Sequence, residues 1–176
     1  DYYDPSRKRG HLSDAAGRAG FELVEGDLNS IDIAGLLDDV DTVFHLAAQA
    51  GVRRSWGEEF SHYTDSNILA TQRLLEALKE REILLIYSSS SSVYGETRDL
   101  PMKEGHPTVP VSPYGATKLS GEHLCELYRF NFGQRYVALR YFTVYGPRQR
   151  PDMAFSKFIT AALTGGSIEI YGDGYQ

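Results

Sequence analysis

Two short apolar runs that do not alternate with polar residues constrain this chain most. They are DTVFHLAAQAG, from Asp41 to Gly51, and ILLIYSSS, from Ile83 to Ser90. A strand with one wet face alternates; an unbroken run suits a parallel strand covered on both faces. Three more strand patterns are legible: FELVEGDL (Phe21 to Leu28), RYVALRYFTVYG (Arg135 to Gly146) and SIEIYG (Ser167 to Gly172). Helical patterns separate them. Residues 31–37 form a short one, and residues 67–79 place Leu74, Leu75 and Leu78 on one stripe. Residues 112–132 are bounded by Ser112 as N-cap, Pro113 at the first helical position and Gly133 after the end. Residues 153–163 stop at Gly165-Gly166. Strands alternating with helices predict βαβ units, a parallel sheet and the α/β class.

Composition excludes several classes. The 176 residues carry a net charge of −6 and a pI near 5.3, with no cationic block beyond Arg7-Lys8-Arg9. That short run reads as a solvated helix face, so neither nucleic acid nor an anionic membrane is an expected partner. No apolar run reaches transmembrane length and no signal peptide is visible. Cys125 is the single cysteine, so no internal disulfide forms and a cytoplasmic location is expected. His45 lies inside an apolar run and reads as a core histidine. No second ligand stands at metal spacing, so no metal site is expected.

Three features can carry chemistry. Tyr114 and Lys118, four residues apart, share a face near the start of the 112–132 helix. An ammonium beside a phenol favours the phenolate, so the pair can act as a base; the plain alternative is a tyrosine packed on a lysine stem. The five serines from Ser88 to Ser92 end a strand of a parallel sheet. Ligands bind beyond the carboxyl ends of such strands, although serines also bond local backbone. The small residues after His45 allow backbone to approach a ligand closely.

Taken in order, EGDL, VFHLAAQAGVR, SNILATQRLLEA, YSSSSSVYGE, SPYGATKLSGE, LRYFTVYGPRQRPDM and IYGDG cover most of the chain. With them the chain resembles the extended short-chain dehydrogenase/reductase family, in its NAD-dependent nucleotide-sugar epimerase/dehydratase branch, and most of all the UDP-glucuronate 4-epimerases. The resemblance implies a Rossmann-like parallel sheet with helices on both faces. It places a partial NAD-binding domain in residues 1–146 and the beginning of a sugar-nucleotide region in residues 147–176. It implies Tyr114 as base, Lys118 as its activator and ribose ligand, and Ser90 as the hydroxyl that bonds the reacting sugar oxygen. Asp27 and Leu28 match the pair beside the adenine. Leu46, Ala47, Ala48 and Gln49 match the stretch beside ribose and pyrophosphate, and Tyr141 and Phe142 residues near the nicotinamide. Asn67 matches an asparagine near the substrate.

Ser91 and Ser92 occupy positions where dehydratases and decarboxylases of the family carry carboxylates. Neither serine can supply the acid or base that elimination needs, which favours epimerisation. Ser91, Ser92, Thr143 and Arg150 are candidates for a sugar carboxylate; Arg148 and Arg150 could equally meet UDP phosphate or lie on the surface. UDP-glucose is the alternative substrate, a reductase of the same family a second rival, and a non-catalytic fragment or binding module the rival of another class. The family's dimer helices correspond to about residues 61–80 and 112–132, so a homodimer is implied; Leu124 and Leu127 could serve core or interface.

The glycine-rich turn of the first β-α-β unit is not in these residues, and the chain opens on DYYDP without a methionine. Gly17 and Gly20 precede a strand pattern instead of following one. The expectation is an incomplete domain that by itself binds NAD weakly or not at all. Micromolar NAD affinity of these 176 residues in calorimetry would contradict it.

Overall fold

The computed structural model describes residues 3–97, 99–170 and 173. The chain divides into two compact units: Glu25–Phe142, and Asp1–Val24 together with Thr143–Gln176.

The larger unit is built on three parallel strands in the order β1-β2-β3: β1 Thr42–His45, β2 Leu84–Ser90 and β3 Tyr136–Tyr141. The register runs Thr42↔Leu84 to His45↔Tyr87, and Leu85↔Tyr136 to Ser90↔Tyr141. β1 leads through a four-residue helix α2 (Phe60–Tyr63) and a π-helical turn (Thr64–Leu69) into α3 (Ala70–Leu78). β2 leads through one 3-10 turn (Ser91–Val93) and a loop into α4 (Pro113–Phe132). The Rossmann-like α/β architecture expected of the sequence is therefore present.

Period decides which side chains are buried. Leu74, Leu75 and Leu78 of α3 and Cys125 and Tyr128 of α4 pack with Leu85 and Tyr87 of β2, and Ile33, Leu37 and Ile83 complete this core. Leu124 packs against it, while Leu127 is 56% exposed, so the two leucines left open by the sequence part company. Odd-even alternation turns Phe44, Val137, Leu139 and Tyr141 to the opposite, exposed face of the sheet.

The boundaries of α4 follow from its caps. Ser112 Oγ accepts from Gly115 N at 3.1 Å, Pro113 takes the first turn, and Gly133 closes the end at φ 71°. The Gly133 N–H bonds Arg129 O at 3.0 Å, and only glycine adopts that left-handed conformation without strain.

Several expected elements are shorter. The helix over 31–37 is a single 3-10 turn, Ala34–Leu36. The strand over 41–51 ends at His45, and that over 135–146 ends at Tyr141, because pairing with β2 stops there. Phe21–Leu28 forms no strand: it crosses the division between the units at Val24, and no described strand pairs with it. Unpaired backbone has no reason to hold a strand conformation. Residues 167–170 are irregular, and the rest of that expected strand lies outside the described residues.

The smaller unit contains α1 (Pro5–Leu12) and α5 (Ala154–Thr164), neither with a buried residue. Asp4 caps α1, its Oδ1 accepting from Ser6 N at 2.9 Å. Arg7-Lys8-Arg9 lies on this helix, as expected of a solvated face. Arg148 pairs with Asp14 Oδ2 at 2.5 Å and donates to His11 O. No described helix is long and apolar enough to cross a membrane.

Candidate active site

Ser90, Tyr141 and the residues that follow His45 lie at the carboxyl end of the sheet, where the strands hand over to loops. Ser90 is the last residue of β2, and its register partner is Tyr141, the last residue of β3. Ser90 Oγ accepts from Ser92 N at 3.1 Å and caps the Ser91–Val93 turn. That acceptor role leaves the Ser90 hydroxyl hydrogen for another partner. Ser91 and Ser92 are half-buried in the turn itself.

The turn sits against the start of α4. A Cβ on Gly115 would lie 2.6 Å from Ser92 O, so only glycine allows this approach. It is what brings Tyr114 beside the serine turn. The Tyr114 ring stands edge-on to Tyr63, centroids 6.3 Å apart at 77°. Lys118, one helical turn on, is 5% exposed; its Nζ donates to Ser88 O at 2.7 Å and lies 5.1 Å from the Tyr87 ring centroid. Burial draws the Lys118 ammonium down to about 8, still protonated at neutral pH. A buried cation one turn from a phenol is the arrangement that stabilises negative charge on the phenolic oxygen.

The loop after β1 is held by side chains the sequence did not single out together. Asn67 Oδ1 accepts from Gln49 N at 2.7 Å, and its Nδ2 donates to Gln49 O at 3.1 Å and Thr117 Oγ1 at 3.0 Å. Asn67 lies in the π-helical turn, whose extra residue per turn is a frequent mark of functional sites. It is 1% exposed, so its amide holds the loop and faces protein. Thr117 Oγ1 in turn donates to Tyr114 O at 2.8 Å. Tyr63 OH lies 3.0 Å from Ala50 O and 2.7 Å from Gly51 O. A continuous set of bonds thus joins Gln49 to the turn of α4 that carries Tyr114, and Tyr63 joins Ala50 and Gly51 to the Tyr114 ring. Asn67 and Thr117 are 50 residues apart, and no local pattern signals the pairing.

His45 is the core histidine expected. Thr71 Oγ1 gives its hydrogen to Asn67 O at 2.7 Å, so His45 Nε2, 2.9 Å away, is the donor to Thr71. Burial first, and the charge of Lys118 second, pull its pKa down to about 4. The sign follows: the unfolded chain takes up this proton near pH 6.5, the folded one only near 4. Stability from neutral His45 is full above pH 6.5 and is lost as pH falls through 4, by about 3 kcal/mol. A His45→Gln variant can still donate to Thr71 but cannot titrate. Urea unfolding at pH 7 and pH 4 should show the wild type losing about 3 kcal/mol more than the variant; equal losses would place the titration elsewhere.

Asp27 begins a turn in which Oδ1 accepts from Asn29 N at 2.9 Å, and Leu28 packs against the core. Leu46 and Ala47 are exposed, Ala48 and Gln49 half-buried, and Tyr141 and Phe142 exposed. Thr143 and Arg150 belong to the smaller unit, where Arg150 bonds Asp152 Oδ1 at 3.1 Å and Oδ2 at 3.0 Å. Among the described residues no cluster of three or more His, Cys, Asp or Glu could hold a metal ion. Small exposed residues beyond β1, a buried lysine and exposed aromatics beyond β3 fit a flat, polyanionic nucleotide laid across the strand ends.

Comparison with known proteins identifies the family. The model of the NAD dependent epimerase/dehydratase family matches residues 3–176. A Bacillus subtilis (strain 168) protein named as an uncharacterized UDP-glucose epimerase, YtcB, is 50% identical over 157 residues, 89% of this chain and 49% of that one. UDP-glucuronate 4-epimerase 1 of Arabidopsis thaliana is 44% identical over 177 residues, 97% of this chain and 41% of that one. The crystal structure of UDP-glucuronic acid 4-epimerase from Bacillus cereus, in complex with UDP-glucuronic acid and NAD, superposes with a TM-score of 0.94 at 46% identity, over 99% of this chain and 57% of that one. The chain spans about half the length of the relatives it matches.

Proposed function

Because the chain belongs to the NAD-dependent epimerase/dehydratase family, we propose that the protein carrying it is an isomerase that inverts C4 of a UDP-sugar, interconverting UDP-glucuronate and UDP-galacturonate. The observation that carries the reading is the placement of Ser90 at the end of β2, with the Tyr114–Lys118 turn of α4 packed on the serine turn through Gly115. The turn itself offers hydroxyls and no carboxylate, which suits epimerisation and not elimination.

Bound NAD would supply the hydride acceptor for C4 and the source of the hydride that returns to its opposite face. Tyr114 takes the C4 hydroxyl proton and later gives it back. Lys118 stabilises the charge on the phenolic oxygen meanwhile. Ser90 donates its hydroxyl hydrogen to the same sugar oxygen. Leu46 to Gln49, with Gln49 held by Asn67, would hold the ribose and pyrophosphate; Asp27 and Leu28 would hold the adenine, and Tyr141 and Phe142 the nicotinamide. Residues 1–146 then serve the cofactor and residues 147–176 begin the sugar-nucleotide region. Ser91 and Ser92 would donate to the uronate carboxylate; Thr143 and Arg150 are further candidates for it, and Arg150, which bonds Asp152, would have to share or exchange that partner. The protein is a cytoplasmic homodimer, paired through the helices of residues 61–80 and 112–132, on which Leu69, Leu127 and Phe130 are exposed.

UDP-glucose remains the second reading, favoured by the 50% identity to a protein named for that substrate. Purified full-length protein should turn over UDP-glucuronate faster than UDP-glucose without consuming reduced cofactor. Equal or better turnover of UDP-glucose overturns the uronate assignment, and stoichiometric loss of NADPH overturns epimerisation in favour of a reductase.

A further inference from the structure

Four residues within the motifs of the chain have no part in the site described above: Ser89, Tyr94, Glu122 and Arg140. They meet in one place. Tyr114, Lys118 and Glu122 occupy successive turns of α4 and share a face. Glu122 Oε1 accepts from Ser89 Oγ at 2.5 Å and from Arg140 Nε at 2.9 Å, while Oε2 accepts from the Arg140 terminal nitrogen at 2.8 Å. The guanidinium lies 4.8 Å from the Tyr94 ring centroid and donates to Glu104 O at 3.0 Å. The ion pair is largely shielded, with 22% and 11% of the Arg140 and Glu122 side chains exposed.

Ser90 ends β2, and the turn that follows it, Ser91–Val93, is a single 3-10 turn with few backbone bonds of its own. Ser89, just before Ser90, is tied to α4 through Glu122. Tyr94, just after the turn, is tied by stacking on Arg140 of β3. A two-pronged Arg–carboxylate pair fixes direction as well as distance, which a lysine could not do. Both charges are consumed by each other, so neither is left for proton transfer.

We propose that Ser89, Tyr94, Glu122 and Arg140 form a positioning clamp that sets the Ser90 hydroxyl at its working distance from Tyr114. None of the four is a catalytic residue. The inference rests on the epimerase reading above, and its test separates the two.

The test uses the full-length protein with Arg140→Met, Glu122→Leu and the double variant. Each single change strands a shielded charge and lowers the melting temperature; the double change removes both charges and recovers it. If the clamp positions Ser90, kcat falls about 100-fold in the double variant while KM for the UDP-sugar changes less than about threefold, because small misplacements of reacting groups cost rate more than binding. Amide hydrogen exchange should accelerate in residues 91–95 and stay unchanged in α3. Recovery of kcat together with the melting temperature in the double variant overturns the proposal, and so does unchanged exchange in residues 91–95. Should the single variants fail to fold, the double variant alone decides. Should the wild-type protein turn over no UDP-sugar, the epimerase reading fails, and the exchange of residues 91–95 still decides for or against the clamp.

Discussion

Replacing Tyr114 by Phe in the full-length protein is expected to cut kcat by about 10³-fold, the scale of a lost general base. The packing reason for a clean result is visible in the fold. The Tyr114 ring is held edge-on by Tyr63, and its backbone carbonyl by Thr117; neither contact uses the phenolic hydroxyl as a donor. Phe keeps the ring in place, so affinity for NAD and UDP-sugar should change less than about threefold, under 1 kcal/mol. A loss of binding equal to the loss of rate would mean that Tyr114 is a packing residue. Ser90→Ala should reduce kcat far more than Ser88→Ala. Ser88 serves Lys118 through its backbone carbonyl, which alanine retains. Equal effects of the two substitutions would remove Ser90 from the proposed chemistry.

The second large effect is expected at Asn67. Asn67→Leu keeps the approximate volume but removes three hydrogen bonds and leaves the Gln49 N–H without its acceptor. Buried as it is, the change should cost about 2–4 kcal/mol of stability, the range of lost bonds plus an unsatisfied donor. NAD affinity should fall about tenfold, roughly 1.4 kcal/mol, since the loop proposed to hold ribose and pyrophosphate is no longer ordered in advance. Asn67→Asp, which keeps the acceptor for Gln49, should fall between. The resemblance placed Asn67 near the substrate. If the leucine variant keeps its NAD affinity and loses only affinity for the UDP-sugar, the side chain serves the substrate and not the loop.

Residue by residue, local signals were legible where chemistry is local. Ser112, Pro113 and Gly133 mark both ends of α4, because caps satisfy backbone groups within a few residues. The apolar runs marked β1 and β2, and Tyr114–Lys118 was visible as a helical pair. Pairing was less legible. Phe21–Leu28 has strand composition and forms no strand, since a strand also needs a neighbour. The residues after His45 and Tyr141 leave the sheet where their partner strand ceases to pair, and no residue within those segments says so.

By itself, then, the order of residues determined the alternation of strands and helices, the α/β class, the family resemblance and the hydroxyl-only turn that argues for epimerisation. Tertiary structure alone decided that Asn67 faces Gln49 and Thr117, that His45 donates to Thr71, and that Glu122 of α4 takes Arg140 of β3. The physical reason is range. Caps, periodicity and turn chemistry act over a few residues and can be read along the chain. Buried polar groups must find partners wherever the fold brings them, and here those partners lie 18 to 50 residues away.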